Sequence, residues 1–132
     1  MEIVFSNSQE DRQVLRDGLD KHAGPYFDHE RKEFGYYIHQ NKEIIAGICG
    51  KIDCCNVLYV ELIYVDDAHR GKDLGTVLMK KAEDFAKENQ CFGLRLNTYT
   101  FQAKGFYEKL GFNVYGKVDG SKITYYSLFK KL

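Results

Sequence analysis

YVDDAHRGKDLGTVLMKK, residues 64–81, decides how this chain is read. It leaves a β-branched segment, bends through charged residues marked by glycine, and enters a helix. Leu74, Val77, Leu78, Ala82, Phe85 and Ala86 recur at three- and four-residue steps, which predicts an amphipathic helix to about Asn89. The first N–H groups of such a helix lack internal partners and its dipole end is positive. Gly71 and Gly75 let a ligand approach the backbone there, while Arg70 and Lys72 add charge, so the corner carries the parts of a phosphate or pyrophosphate site. A glycine-containing turn with solvated basic residues is the competing reading. Asp73 follows Gly71-Lys72, so the Walker G-K-[ST] is missing. G-x-G-x-x-G is missing too, which argues against a nicotinamide dinucleotide.

Working outward, the flanking segments read as strands. EFGYYIHQ, EIIAGICGKID and NVLYVELIYV precede the corner, with a hairpin turn at QNKE and a second bend near CCN. CFGLRLNTY follows the helix, then a short helix in QAKGFYEKLGF closed by Gly111, then NVYGKV and KITYYSLFKKL around DGS. Toward the amino terminus, EIVFS reads as a first strand. SQEDRQVLRDGLDKHAG follows as a helix capped by Ser8, with Val14, Leu15 and Leu19 on one face, ending at Gly24-Pro25. Residues 26–33 form a charged connection. The pattern is a mixed sheet with helices packed on it, expected as one domain over residues 1–132.

Composition excludes several classes. The chain of 132 residues balances 19 basic against 19 acidic side chains, so no overall positive field gathers nucleic acid and any anion site must be local. No apolar run reaches the roughly 18 residues of a membrane span, and the amino terminus lacks a leader-like pattern, so a cytoplasmic protein without a membrane partner is expected. Cys49, Cys54, Cys55 and Cys91 have no C-x-x-C spacing. The adjacent Cys54 and Cys55 are expected on opposite faces of a strand, and all four as reduced structural residues without metal.

Two segments carry a family resemblance. LYVELIYVDDAHRGKDLGTVLMKKAEDFAKE followed by LRLNTYTFQAKGFYEKLGF resembles the GNAT superfamily of acyl-CoA-dependent N-acetyltransferases, and its small single-domain bacterial branch in particular. The resemblance covers roughly residues 43–132. In the family's phosphate loop, Q/R-x-x-G-x-G/A, Arg70, Leu74 and Gly75 fit their places, but Asp73 stands where the first glycine belongs. Ala103, Phe106, Tyr107, Gly111 and Phe112 match the second signature, a small residue and then Φ-Y-x-x-x-G-F.

The resemblance implies a GNAT fold: a mixed, mostly antiparallel sheet of about six or seven strands, with a splayed parallel pair and helices on both faces. It implies acetyl-CoA as co-substrate, lying in the splay between LIYV and LRLNT and pairing with main chain near Ile63, Tyr64 and Val65. The pyrophosphate is expected on the N–H groups of Gly71, Lys72, Asp73, Leu74, Gly75 and Thr76, near Arg70. Tyr107 is the expected proton donor to the leaving thiolate, and the N–H of Val65 is expected to face the thioester oxygen. Glu61 is a candidate base, set against a solvated strand carboxylate. Asp73 is expected either to cap the helix or to weaken coenzyme binding by pointing inward. Asn97, Thr98 and Thr100 are candidates for a pantetheine contact.

The implied reaction is transfer of acetyl to an amine in a ternary complex, with a small-molecule amine as the leading acceptor. A protein lysine or α-amino group, or a catalytically idle coenzyme-binding module, are the alternatives. His22, His29, His39 and His69 read as surface or loop residues. Residues 17–33 hold Asp17, Asp20, Asp28, Glu30 and Glu33 beside Lys21, Arg31 and Lys32, a mixed solvated surface rather than an amine trap. Small members of the family are often dimers, which leaves a homodimer open.

Overall fold

The computed structural model describes residues 1–27, 32–101 and 103–132. Its strands are β1 (Glu33–Gln40), β2 (Glu43–Ile52), β3 (Val57–Val65), β4 (Gly93–Tyr99), β5 (Asn113–Asp119) and β6 (Thr124–Lys131). They form one sheet in the order β1-β2-β3-β4-β6-β5. Among the described residues only β3 and β4 run parallel. The helices are α1 (Gln9–Ala23), α2 (Leu74–Glu88) and α3 (Lys104–Lys109). The expected mixed, mostly antiparallel sheet with one parallel pair is therefore present.

Local chemistry accounts for the elements. Asn41 and Lys42, at φ 51° and 67°, make the two-residue left-handed turn that joins β1 to β2. The apolar stripe of α2 buries Leu78, Met79, Ala82 and Ala86. It packs on a sheet face whose registers bring Ile48, Leu58, Leu94 and Leu128 to the same side. Phe85 stacks on Phe34 of β1, ring centres 5.3 Å apart. α3 joins this side, with Lys104 over the Tyr126 ring and Tyr107 in the core. Burying these side chains in one layer is the main stabilising term.

Three details depart from the sequence expectations. EIVFS is no strand: residues 1–8 carry no regular structure, and Ile3, Val4 and Phe5 are exposed. A strand needs an edge to satisfy its N–H and C=O groups, and no edge of this chain's sheet takes the segment. α1 does form, with Asp11 N–H donating to Ser8 Oγ at 3.1 Å, but it buries none of its residues, so among the described residues no helix of the same chain covers the second face. Cys54 and Cys55 sit in the β2–β3 turn rather than on a strand. All four cysteines are free. His29, Asp28, Glu30 and Arg31 lie outside the described residues.

Candidate active site

The parallel pair opens almost at once. Val57, Leu58 and Tyr59 pair with Gly93, Leu94 and Arg95, and the pairing then stops although both strands continue. The gap is a cleft of about 860 Å³ walled by Val60–Val65 on one side and Leu96–Tyr99 on the other. The closed end is tight: a Cβ on Gly93 would lie 2.4 Å from the Lys130 carbonyl oxygen and 2.5 Å from the Phe129 ring.

A β-bulge sets the phase of the β3 wall. Cys49 pairs with Leu62 and Gly50 with Val60, leaving Glu61 as the extra residue. Gly50 is required opposite it, since a Cβ there would sit 1.9 Å from the Tyr59 carbonyl oxygen. Asp66 N–H donates to the Ile45 carbonyl at 2.8 Å, which marks that pair as a hydrogen-bonded position of the ladder. Antiparallel pairs alternate, so at Val65 and at Ile63 the backbone N–H and C=O point away from β2, into the cleft. Ile63 and Val65 are two of the three positions expected to pair with pantetheine. Tyr64 also borders the cleft, with its side chain on the uncovered sheet face.

The wide end runs into a second cavity of about 380 Å³ at the corner, with Val65, Arg70, Gly75 and Phe106 common to both. Gly71 (φ 79°) and Asp73 (φ 58°) are both left-handed. The first helical bond of α2 is Val77 N–H to Asp73 C=O, so the N–H groups of Leu74, Gly75 and Thr76 lie ahead of it. At Gly75 an added Cβ would come 3.3 Å from the Phe106 ring, a tight contact. Arg70 Nε donates to the Val65 carbonyl at 3.2 Å and its Nη1 lies 3.2 Å from Asp67 Oδ1. Lys72 is exposed and lines neither cavity. Asp73 lines the corner without making the expected capping bond. Its left-handed backbone explains the usual glycine, and Asp is among the few other residues that tolerate the conformation.

The second signature is a helix-closing device. Gly111, left-handed at φ 97°, donates its N–H to the Glu108 carbonyl, and Phe112 N–H donates to the Tyr107 carbonyl, both at 3.1 Å. With the Tyr107–Phe112 ring contact this is a Schellman motif, which calls for the left-handed glycine and an apolar pair on either side of it. The motif fixes Tyr107 on the cleft wall, where burial pushes its phenol pKa above the usual 10. Glu61 borders the cleft on the other strand, exposed, with Lys51 Nζ 3.7 Å from its carboxylate. His69 is a loop strut: Nε2 lies 2.6 Å from Gln40 Oε1 and Nδ1 3.2 Å from Asp66 Oδ2. His22, His39, Asp17, Asp20 and Glu33 line neither cavity.

Several wall residues were missed by sequence reasoning. Lys109, in the last turn of α3, faces the corner with Arg70; its place three residues after Phe106 was the available signal. Leu96, Tyr99 and Phe101 line the cleft. Of the pantetheine candidates, Asn97 and Thr98 line it, whereas Thr100 Oγ1 is bound to both backbone groups of Thr124. Below the cleft, Arg95 donates from Nε to Asp53 Oδ2 at 2.8 Å and lies 4.1 Å over the Tyr59 ring. Asn97 bridges Tyr59 Oη and Ser127 Oγ, which braces the β4 wall from the uncovered side.

A sequence model described as "Acetyltransferase (GNAT) family" matches residues 4–112. A Streptomyces morookaense protein named blasticidin-S acetyltransferase is 33% identical over 100 residues, covering 74% of this chain and 73% of its own. A crystal structure of an acetyltransferase from Agrobacterium tumefaciens superposes with a TM-score of 0.91 at 24% identity, covering 100% of both chains. A third, from Bacillus anthracis and named for streptothricin acetylation, holds acetyl coenzyme A; its TM-score is 0.71 at 25% identity, over 82% of this chain and 67% of that one.

Proposed function

The chain belongs to the GNAT acetyltransferase family, and on that premise we propose that it acetylates a primary amine of a small molecule by direct attack in a ternary complex with acetyl-CoA. Acetyl-CoA supplies an activated thioester whose sulfur leaves as thiolate. The observation that carries the reading is the wedge, with the backbone groups of Ile63 and Val65 turned into it and a left-handed, glycine-containing helix start at its mouth. Ile63 and Val65 pair with the pantetheine amides as an added strand would, and the N–H of Val65 faces developing oxyanion charge. Gly71 to Thr76 hold the pyrophosphate through their N–H groups, with Arg70 and Lys109 beside them.

Tyr107 donates a hydrogen bond to the departing sulfur. Its raised pKa keeps the phenol protonated through neutral pH, at the cost of a weaker drive to complete the transfer to a thiolate whose conjugate acid has a pKa of roughly 8.5. Glu61, across the cleft at the bulge, takes the acceptor's proton directly or through water. The names of the Streptomyces and Bacillus relatives support a small amine of antibiotic type. One observation favours a protein amine instead: α1 does not roof the cleft of its own chain, so the acceptor side is an open groove.

The test is release of free thiol from acetyl-CoA across a panel of antibiotic amines, polyamines, amino acids and lysine- or amino-terminal peptides, beside calorimetry of coenzyme binding. Turnover confined to small amines supports the proposal, and turnover confined to peptides transfers it to the second reading. Micromolar coenzyme binding without turnover on any amine would mark an idle binding module. No heat at millimolar acetyl-CoA would remove the coenzyme assignment.

A further inference from the structure

The sheet is packed on one side only. No side chain that the strand registers place opposite α2 is buried; Tyr37, Leu62 and Tyr64 are 52%, 68% and 57% exposed. Cys49, Tyr59 and Arg95 on the same face are half-buried by their neighbours in the sheet. An apolar, aromatic sheet face of this extent marks an interaction surface rather than a finished exterior. The chain also carries a folded amphipathic helix with nothing on its stripe: Val14, Leu15 and Leu19 of α1 are 68%, 68% and 67% exposed. Ahead of it, Ile3 and Phe5 are exposed in a segment with strand-like composition and no strand partner. Each surface lacks what the other offers.

We propose that residues 1–27 of a second copy of this chain lie on the uncovered sheet face, α1 stripe down, in a reciprocal exchange of arms between two protomers. The helix is fully formed yet held off its own sheet, with an α1 N-cap in place and no buried residue, as expected of an element whose partner lies on another molecule. The whole-length superposition on the Agrobacterium chain points the same way. The arm is about one-fifth of the chain (27 of 132 residues), and a TM-score of 0.91 over both complete chains requires it to be placed alike in that crystal structure. Two-fold exchange makes each contact twice and closes the assembly without leaving a free arm. Because Leu62 and Tyr64 belong both to this face and to the cleft wall, the partner's arm becomes the roof of the acceptor groove.

The experiment is sedimentation combined with cross-linking of the full chain, mixed from ¹⁴N- and ¹⁵N-labelled protein. A mass near 30.6 kDa (2 × 15.3 kDa) is expected, with lysine-to-lysine links between Lys21 of the arm and Lys51 of the face that carry one label of each kind. The Val14→Asp, Leu19→Asp double variant should sediment at 15.3 kDa with the sheet signal of its circular dichroism retained. A wild-type monomer overturns the exchange, as does a dimer whose Lys21–Lys51 links are all of one label or one that persists in the double variant. None of these readouts involves acetyl-CoA, so the exchange stands or falls separately from the proposed reaction.

Discussion

Replacing Tyr107 by Phe removes one oxygen from the cleft wall and leaves the wall itself. The ring keeps its edge contacts with Phe106, 5.2 Å between centres, and Phe112, 6.0 Å. The Schellman closure is made by backbone, so the helix end does not change. Stability should therefore shift by no more than about 1 kcal/mol, the net worth of one hydrogen bond. Acetyl-CoA affinity should change less than about tenfold, or 1.4 kcal/mol. Loss of a proton donor in the transition state is worth about 10²- to 10⁴-fold in turnover, which is about 3–5 kcal/mol of barrier. Thiol release under saturating coenzyme measures it. Burial raises the phenol pKa above the usual 10, so the donor form prevails through neutral pH and is lost as pH rises through the higher folded value. No limb near neutral pH belongs to Tyr107, and the alkaline fall should be absent in the variant. Equal turnover, or a loss wholly explained by weaker coenzyme binding, refutes the donor role.

Arg70→Glu puts a carboxylate beside the helix start and should weaken acetyl-CoA binding by more than about tenfold in calorimetry; unchanged affinity would make the corner a solvated turn. Gly50→Val drives a Cβ into the Tyr59 carbonyl and should cost at least about 1–3 kcal/mol, several degrees of Tm, with loss of coenzyme binding as the bulge is forced out. Gly105→Ala, where an added Cβ meets nothing within 4 Å, is its control. Asp53 is partly desolvated, which raises its pKa, but the Arg95 guanidinium and the N–H groups of Val57 and Cys55 outweigh this and hold it below 3.8. The stability it contributes is present above the unfolded value and lost as pH falls through the folded one. Wild type should lose more Tm than Asp53→Asn between pH 5 and pH 3; parallel losses would show that the Arg95 pair is neutral.

What could be read from the residues depended on how local the cause was. The helix from Leu74, the Ser8 cap, the left-handed Gly111 and the two-residue turn at Asn41 each depend on interactions within a few positions, and each was legible. The splay was legible only through the family resemblance, because strand divergence leaves no periodic trace. The expectation for EIVFS failed for a similar reason: composition reports that a segment suits an edge, not that an edge is available in the same molecule. The Asp53–Arg95 pair joins residues 42 apart and has no motif. Of the two readings left open for Asp73, the helix cap is the one not formed: its backbone is left-handed, the conformation that favours glycine there, and its side chain makes no capping bond.

The crowded glycine at the closed end of the cleft gives the site a mechanical character. Gly93 is pinned between Lys130 and Phe129, so the two parallel strands behave as prongs of a fork joined at the handle. A fork of this kind bends more at its tips, near Arg70 and Gly75, than at its root beside Tyr59. The cleft is thus stiff where Glu61 stands, next to the last paired residues, and its compliance is left to the end where it meets the corner cavity.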